Sequence, residues 1–274
     1  MSNEKQLQKE AMHMLKLTSR TFYIPITLLE PTLKKAVASA YLCMRAIDEI
    51  EDNEMLDSAT KQHLLKETSF LLKNTFDNEA YTQLLAPYKS LLPEVTVRLG
   101  DWLAFCPTGI VEKVKESTST MAEGMALWAK KNWHIKTKED LNDYTYYVAG
   151  LVGVMLSDIW EWRDGTKTDR EFAIGYGRGL QTVNILRNIE EDKERGVSFI
   201  PYGWDIDDTF QYAENNLALG DEYMKDINSR SILVFCKIPL ELAKKTLKAL
   251  KSGREKMSRT EVEETVDEIR KVNQ

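Results

Sequence analysis

The sequence predicts an all-α fold, a bundle of helices, from three observations. Period-2 runs of Val, Ile and Thr are scarce, and no Asn-Gly or Asp-Gly pair joins two of them, so hairpin signals are missing. No proline falls between Thr108 and Ile200, which leaves a long stretch without helix breakers. The 274 residues are 43% hydrophobic and 29% charged, with only 13 Gly and 7 Pro, a globular composition rather than a disordered or loop-built one.

Helices are expected over residues 4–18, 31–53, 58–76, 79–105, 108–131, 137–162, 168–195, 206–228, 230–251 and 258–273. The prolines at 25, 31, 87, 93, 107, 201 and 239 are expected at helix ends. Ser252-Gly253 reads as a helix stop, and Ser258 with Glu261 three residues on reads as a capping box opening the last helix. Asp164-Gly165 lies between two helical patterns. With no Gly-, Ser- or Pro-rich linker and no fixed repeat, a single domain over residues 1–274 is expected.

Charge and cysteine usage bound the function. Lys plus Arg number 37 against 43 Asp plus Glu, a net charge of -6, which is the wrong sign for holding nucleic acid. Cys43, Cys106 and Cys236 are far apart, so neither a disulfide framework nor a CxxC metal site is written here. The polar start from Ser2 to Glu10 lacks a secretory pattern, and the longest uncharged run, Tyr144 to Ser157, is too short to cross a bilayer. A cytoplasmic protein acting as a monomer is expected. Residues Leu240, Ala243, Leu247 and Leu250, flanked by Lys244, Lys245, Lys248 and Lys251, fit either docking onto the bundle or peripheral contact with an anionic membrane.

Two helices carry polar stripes on apolar backgrounds. From Val37 to Asp52 apolar residues fall on nearly every face, yet Tyr41, Arg45, Asp48 and Asp52 recur at spacings of four, three and four and stack on one side. Between Gly177 and Gly196 the residues Gln181, Asn184, Asn188, Asp192 and Arg195 repeat the arrangement. Solvated ion pairs would explain either stripe alone. Two such stripes favour a shared polar pocket, because buried charge is costly unless paired or bound to a metal. Oxygen ligands without His or Cys suit a hard cation such as Mg2+, which favours substrate phosphates as co-ligands. The arginines supply forked contacts to phosphate oxygens.

These residues resemble the squalene/phytoene synthases, the head-to-head prenyl synthases. The matching pieces are Thr18-Ser19-Arg20-Thr21-Phe22, YLCMRAIDEIED from Tyr41 to Asp52, YTYYVAGLVG from Tyr144 to Gly153, and GLQTVNILRNIEEDKERG from Gly179 to Gly196. The resemblance implies a single-domain isoprenoid synthase bundle with a central cavity, in which aspartate-rich motifs bind Mg2+ around the diphosphate of an allylic prenyl substrate, typically farnesyl diphosphate. By position, Asp48, Asp52, Asn188 and Asp192 would be the metal ligands. Ser19, Arg20, Tyr41 and Arg45 would meet the diphosphate, with Arg195 adding a further cationic contact. Tyr144 would sit by the reacting carbons, and Gln181 and Asn184 would line the second motif's face. Phe22, Tyr41 and Tyr144 offer ring faces to a developing cation. Val148 and Gly150 lie in the segment expected to receive the prenyl tail, where Gly150 and Gly153, one turn apart, would open a groove; close helix packing is the other reading.

The sequence departs from the family pattern at Asn188, where aspartate is usual, and at Arg195-Gly196-Val197, where Arg-Gly-Arg is frequent. A weaker metal cluster harms the joining of two substrates more than the hydrolysis of one. The expected activity is therefore hydrolysis of farnesyl diphosphate to farnesol. The alternative is condensation of two farnesyl diphosphates to a squalene-like or dehydrosqualene-like C30 product; a non-catalytic helical scaffold is the reading from another class.

Overall fold

The computed structural model describes residues 3–19, 21–254 and 257–272. Every regular element among them is helical. In chain order these are α1 (Asn3–Thr18), α2 (Tyr23–Thr27), α3 (Pro31–Glu51), α4 (Ser58–Lys73), α5 (Asn78–Leu85), α6 (Glu94–Val97), α7 (Leu99–Phe105) and α8 (Val111–Lys130). There follow α9 (Lys138–Thr145), α10 (Leu151–Asp164), α11 (Arg170–Arg187), α12 (Ile189–Glu194), α13 (Ile206–Met224), α14 (Arg230–Lys251) and α15 (Arg259–Val272). A 3-10 turn covers Ala86–Tyr88, and a π-helical turn, Tyr146–Gly150, joins α9 to α10.

Local chemistry sets most boundaries. Asp57, Asp77 and Asp169 cap α4, α5 and α11 by accepting first-turn N–H bonds, while Thr137 and Asp205 open α9 and α13 with capping boxes. The Ser258–Glu261 box forms as expected, with both reciprocal bonds in place. Gly253 and Gly165, at φ +79° and +78°, end α14 and α10 in the left-handed conformation that glycine adopts without a Cβ penalty.

Four expectations need correction. The helix drawn over 79–105 is three helices, because Pro87 sits in the 3-10 turn and Pro93 occupies the N-cap of α6; neither can donate to a continuing ladder. The helix over 137–162 is interrupted by the π-helical turn. The helix over 168–195 breaks at Asn188, whose φ of -105° and ψ of 12° leave the helical basin. Pro239 lies inside α14 rather than at an end; it is buried there.

The chain divides into two compact units, residues 1–23 with 31–133, and residues 24–30 with 134–274. In the first, α3 is the central helix: Leu33, Ala36, Val37, Ala40, Leu42, Cys43, Ala46, Ile47 and Ile50 are all buried. It packs against α1, α6, α7 and α8, and α4 lies along α8, where Ser69 and Ser119 share a buried hydroxyl contact of 2.8 Å. Arg98 ties three helices by bonding Glu10, Glu94 and Asp101.

In the second unit α11 is central, packed on α10, α13 and α14. Its approach to the π-helical turn depends on glycine. A Cβ on Gly177 would lie 2.4 Å from the Ala149 carbonyl oxygen, and one on Gly153 equally close to that of Ala173. The space beside Gly150 is taken by Ile174. Gly150 and Gly153 thus serve helix contact, and the groove expected for an alkyl chain beside them is filled by α11. The α14 residues Leu240, Ala243 and Leu247 are buried, while Lys244, Lys245 and Lys251 pair with acidic residues, which is the docked arrangement. No helix among the described residues is long and apolar enough to cross a membrane.

Replacing Gly177 by Ala should lower stability by about 1–3 kcal/mol, because backbone rather than a flexible side chain must yield. Urea denaturation measures this, and an unchanged midpoint would mean that α11 and the π-helical turn part at no cost.

Candidate functional site

The polar face of α3 is built where the helix can least easily hold it. Asp48, Glu49 and Glu51 crowd its last turn, with Asp52 directly beyond. That end of a helix is the negative end of its dipole, and no basic residue occupies the last turn of α3. Sequences that favour helix stability alone place Lys or Arg there. Asp48, Glu51 and Asp52 each bring one carboxylate oxygen to a site where all three lie within 4.8 Å of one another. Asp48 is half-buried, Glu51 buried and Asp52 exposed.

Burial, then the neighbouring Asp52 carboxylate, push Asp48 up to about 7, although Arg45 pulls the other way. Its side chain retains 28% exposure, so water still reaches the site. Glu51 is raised further above its ordinary range, first by burial and then by Asp52 and Asp48. Such a cluster of hard oxygen donors, destabilised by its own charge, is matched by a divalent cation such as Mg2+.

Arg45 bonds Asp48 at i+3 and Glu49 at i+4, at 2.5 Å for the second. Burial works against its charge, but the two carboxylates outweigh that and hold the guanidinium protonated. Its Nε is buried without a partner among the described residues. One turn earlier, the Tyr41 hydroxyl donates to the Thr18 carbonyl at 2.9 Å, and burial raises its phenol above the usual range. The Ser19 Oγ accepts the Phe22 N–H, and the Phe22 and Tyr41 rings are 6.3 Å apart. Ser19, Phe22 and Tyr41 thus form one contact group in the first unit. Arg20 lies outside the described residues.

The second stripe is less regular. Gln181 is half-buried and Asn184 exposed, with 3.5 Å between their side-chain amides. Asn188, half-buried at the α11–α12 break, accepts a bond from Arg187 Nε at 3.3 Å. Asp192 is buried on α12, and the exposed Arg195 donates to it at 2.5 Å. Arg195 therefore faces a carboxylate inside the same motif. Tyr144 is buried near the end of α9 and stacks on Phe199 at 4.7 Å, and Val148 is half-buried in the π-helical turn.

Three partners escaped the sequence reading. Glu49 and Glu51 could have been found from their i+4 and i+3 offsets to Arg45 and Asp48 within DEIED. Trp133, which bonds Glu51, lies 82 residues away and leaves no local trace.

The profile of the squalene/phytoene synthase family matches residues 15–204, and the chain belongs to that family. Squalene synthase ERG9 of Candida albicans is 36% identical over 73% of this chain and 46% of its own length. The squalene synthase of Eremothecium gossypii is 31% identical over 93% of this chain and 64% of its own. The chain thus spans about half to two-thirds of the length of these relatives. Among solved structures, TcSQS in complex with E5700 superposes with a TM-score of 0.77 at 22% identity, covering 97% of this chain and 86% of that one. A dehydrosqualene synthase with bound ligand gives 0.72 at 18% identity over 98% and 97%. At these identities the likeness establishes the fold alone, the all-α isoprenoid synthase fold.

Asp48 and Glu51 hold protons in the folded, metal-free protein at pH values where the unfolded chain has released them. Stability should fall as pH rises from about 4 through 7, because the folded state binds more protons there. Asp48→Asn should flatten that slope and make the metal-free protein more stable at pH 8. Urea midpoints from pH 5 to 8 test this; parallel curves for the two proteins would remove Asp48 from the titration.

Proposed function

We propose that the protein is a Mg2+-dependent prenyltransferase that joins two molecules of an allylic prenyl diphosphate, farnesyl diphosphate, head to head into a squalene-like or dehydrosqualene-like C30 product. The observation that carries this reading is the Asp48–Glu51–Asp52 cluster at the end of α3 beside Arg45, in a chain whose named relatives are squalene synthases. Those relatives reverse the order of the two activities expected from Asn188 alone.

In this reading Asp48, Glu51 and Asp52 would hold a metal ion at the first motif, and Asp192, with the Asn188 amide oxygen as a neutral ligand, would supply the second motif's metal ligands. When bound, Mg2+ supplies positive charge to the departing diphosphate. Arg45, Ser19, Arg20 and Tyr41 bind the diphosphate oxygens, and Arg45 exchanges part of its pairing with Asp48 and Glu49 for them. Breaking the allylic carbon–oxygen bond leaves an allylic cation. The rings of Phe22, Tyr41 and Tyr144 offer it electron-rich faces, worth about 0.5–2 kcal/mol per well-placed ring. The double bond of the second substrate captures the cation if water is excluded, and loss of a proton closes the cyclopropane of a C30 diphosphate. Departure of its diphosphate with loss of a second proton gives the dehydrosqualene-like product, whereas the squalene-like one takes a hydride instead and needs an added nicotinamide reductant. Val148 belongs to the wall for the prenyl tails. In this reading the protein is a single-domain enzyme, cytoplasmic and monomeric.

Hydrolysis is retained as a second reading on two observations. Asn188 brings no charge, and Arg195 is engaged with Asp192 rather than open to phosphate. Both features weaken the hold on a second anion, which favours release of a single prenyl alcohol.

Incubation with farnesyl diphosphate and Mg2+, followed by lipid extraction, should yield a C30 hydrocarbon or its cyclopropyl diphosphate precursor. Farnesol as the sole product would install the hydrolytic reading, and no turnover would leave the scaffold. Asp48→Ala should lower kcat at least 100-fold. Asn188→Asp should tighten Mg2+ dependence and raise the C30 share of product; a farnesol fraction unchanged by that substitution would separate Asn188 from the partition.

A further inference from the structure

The acidic cluster has a support that neither polar stripe contains. Beyond α8 the chain turns through Asn132 and Trp133, both left-handed at φ +49° and +52°. Asn tolerates that conformation; a bulky aromatic rarely adopts it, and consecutive non-glycine residues there need the surroundings to fix them. The Trp133 N–H bonds back to the Trp128 carbonyl at 3.1 Å, and its indole Nε1–H donates to Glu51 Oε1. Lys61, only 8% exposed, places its Nζ 4.8 Å over the Trp133 ring and 2.5 Å from the Glu51 carbonyl oxygen. One buried ammonium therefore touches both the residue that donates and the backbone of the residue that accepts. A strained turn is being held for one side chain, and that side chain ends on a carboxylate of the cluster.

We propose that Trp133, clamped by Lys61, is a positioning residue that orients the Glu51 carboxylate for divalent-metal binding. The inference rests on the metal-site reading above. The indole supplies a single neutral donor. It fixes one carboxylate oxygen without adding a positive charge, so Glu51 is pre-oriented and its charge, once the proton leaves, is available to a cation. Lys61 bonds the main-chain carbonyl, so its charge counters the crowded helix end.

The test is Mn2+ affinity of the full-length protein with no substrate present, measured by titration calorimetry or by the loss of free-Mn2+ paramagnetic signal. Trp133→Phe keeps a ring under Lys61 and removes only the N–H. It should weaken Mn2+ about tenfold, the size expected for one hydrogen bond to a charged group. Glu51→Gln should weaken it at least as much. The double variant should be no weaker than Glu51→Gln alone, because Trp133 acts through Glu51. Additive losses, or an affinity in Trp133→Phe equal to wild type, would overturn the proposal while leaving the metal site intact. A wild-type protein that binds no Mn2+ would sink both. Should Trp133→Phe fail to fold, Lys61→Met carries the same expectation: weakened Mn2+ binding that vanishes as a separate effect in the Glu51→Gln background.

Discussion

Three carboxylates converge at the negative end of a largely buried helix, the centre of the first unit. Asp48, Glu51 and Asp52 repel one another, and burial with that repulsion pushes Asp48 and Glu51 toward protonation even with their partners in place. Arg45 offsets part of this within α3 itself. Trp133, beyond α8, bonds the Glu51 carboxylate, and Lys61 of α4 bonds the Glu51 carbonyl oxygen. A helix end built this way is poor for stability, a conflict between local preference and arrangement of the kind that functional sites carry.

The second unit solves a different problem, close approach of backbones. Gly153 and Gly177 let α10 and the π-helical turn lie against α11 nearer than any side chain would allow. Tyr212 donates to Asn142 at 2.6 Å, and Arg178 donates to the Asn142 carbonyl at 3.2 Å, fixing the chain two residues before Tyr144. The second motif does not continue α11 as one straight stripe. Its chain bends at Asn188, so Asp192 belongs to a separate short helix and pairs with Arg195.

Much of this was legible from the chain. The 3.6-residue period on α3 placed Tyr41, Arg45 and Asp48 together, since helical neighbours three and four apart must share a face. Caps and stops such as Ser258–Glu261 and Gly253 were readable because they satisfy backbone groups within a few residues. Pro87 and Pro93 were visible, yet their power to divide 79–105 was underestimated. The role of Gly150 and Gly153 was open, because a missing Cβ says that something comes close without saying whether it is ligand or helix.

The sequence by itself determined the all-α class, the order of the motifs and which polar side chains share the face of α3, because these depend on spacing along one helix. Tertiary structure decided what faces them. Glu51 became the buried third carboxylate through a tryptophan 82 residues away, and the glycines of the YVAGLVG segment became a seat for α11. Contacts between distant segments follow from how surfaces pack, and no periodicity within either segment encodes its partner.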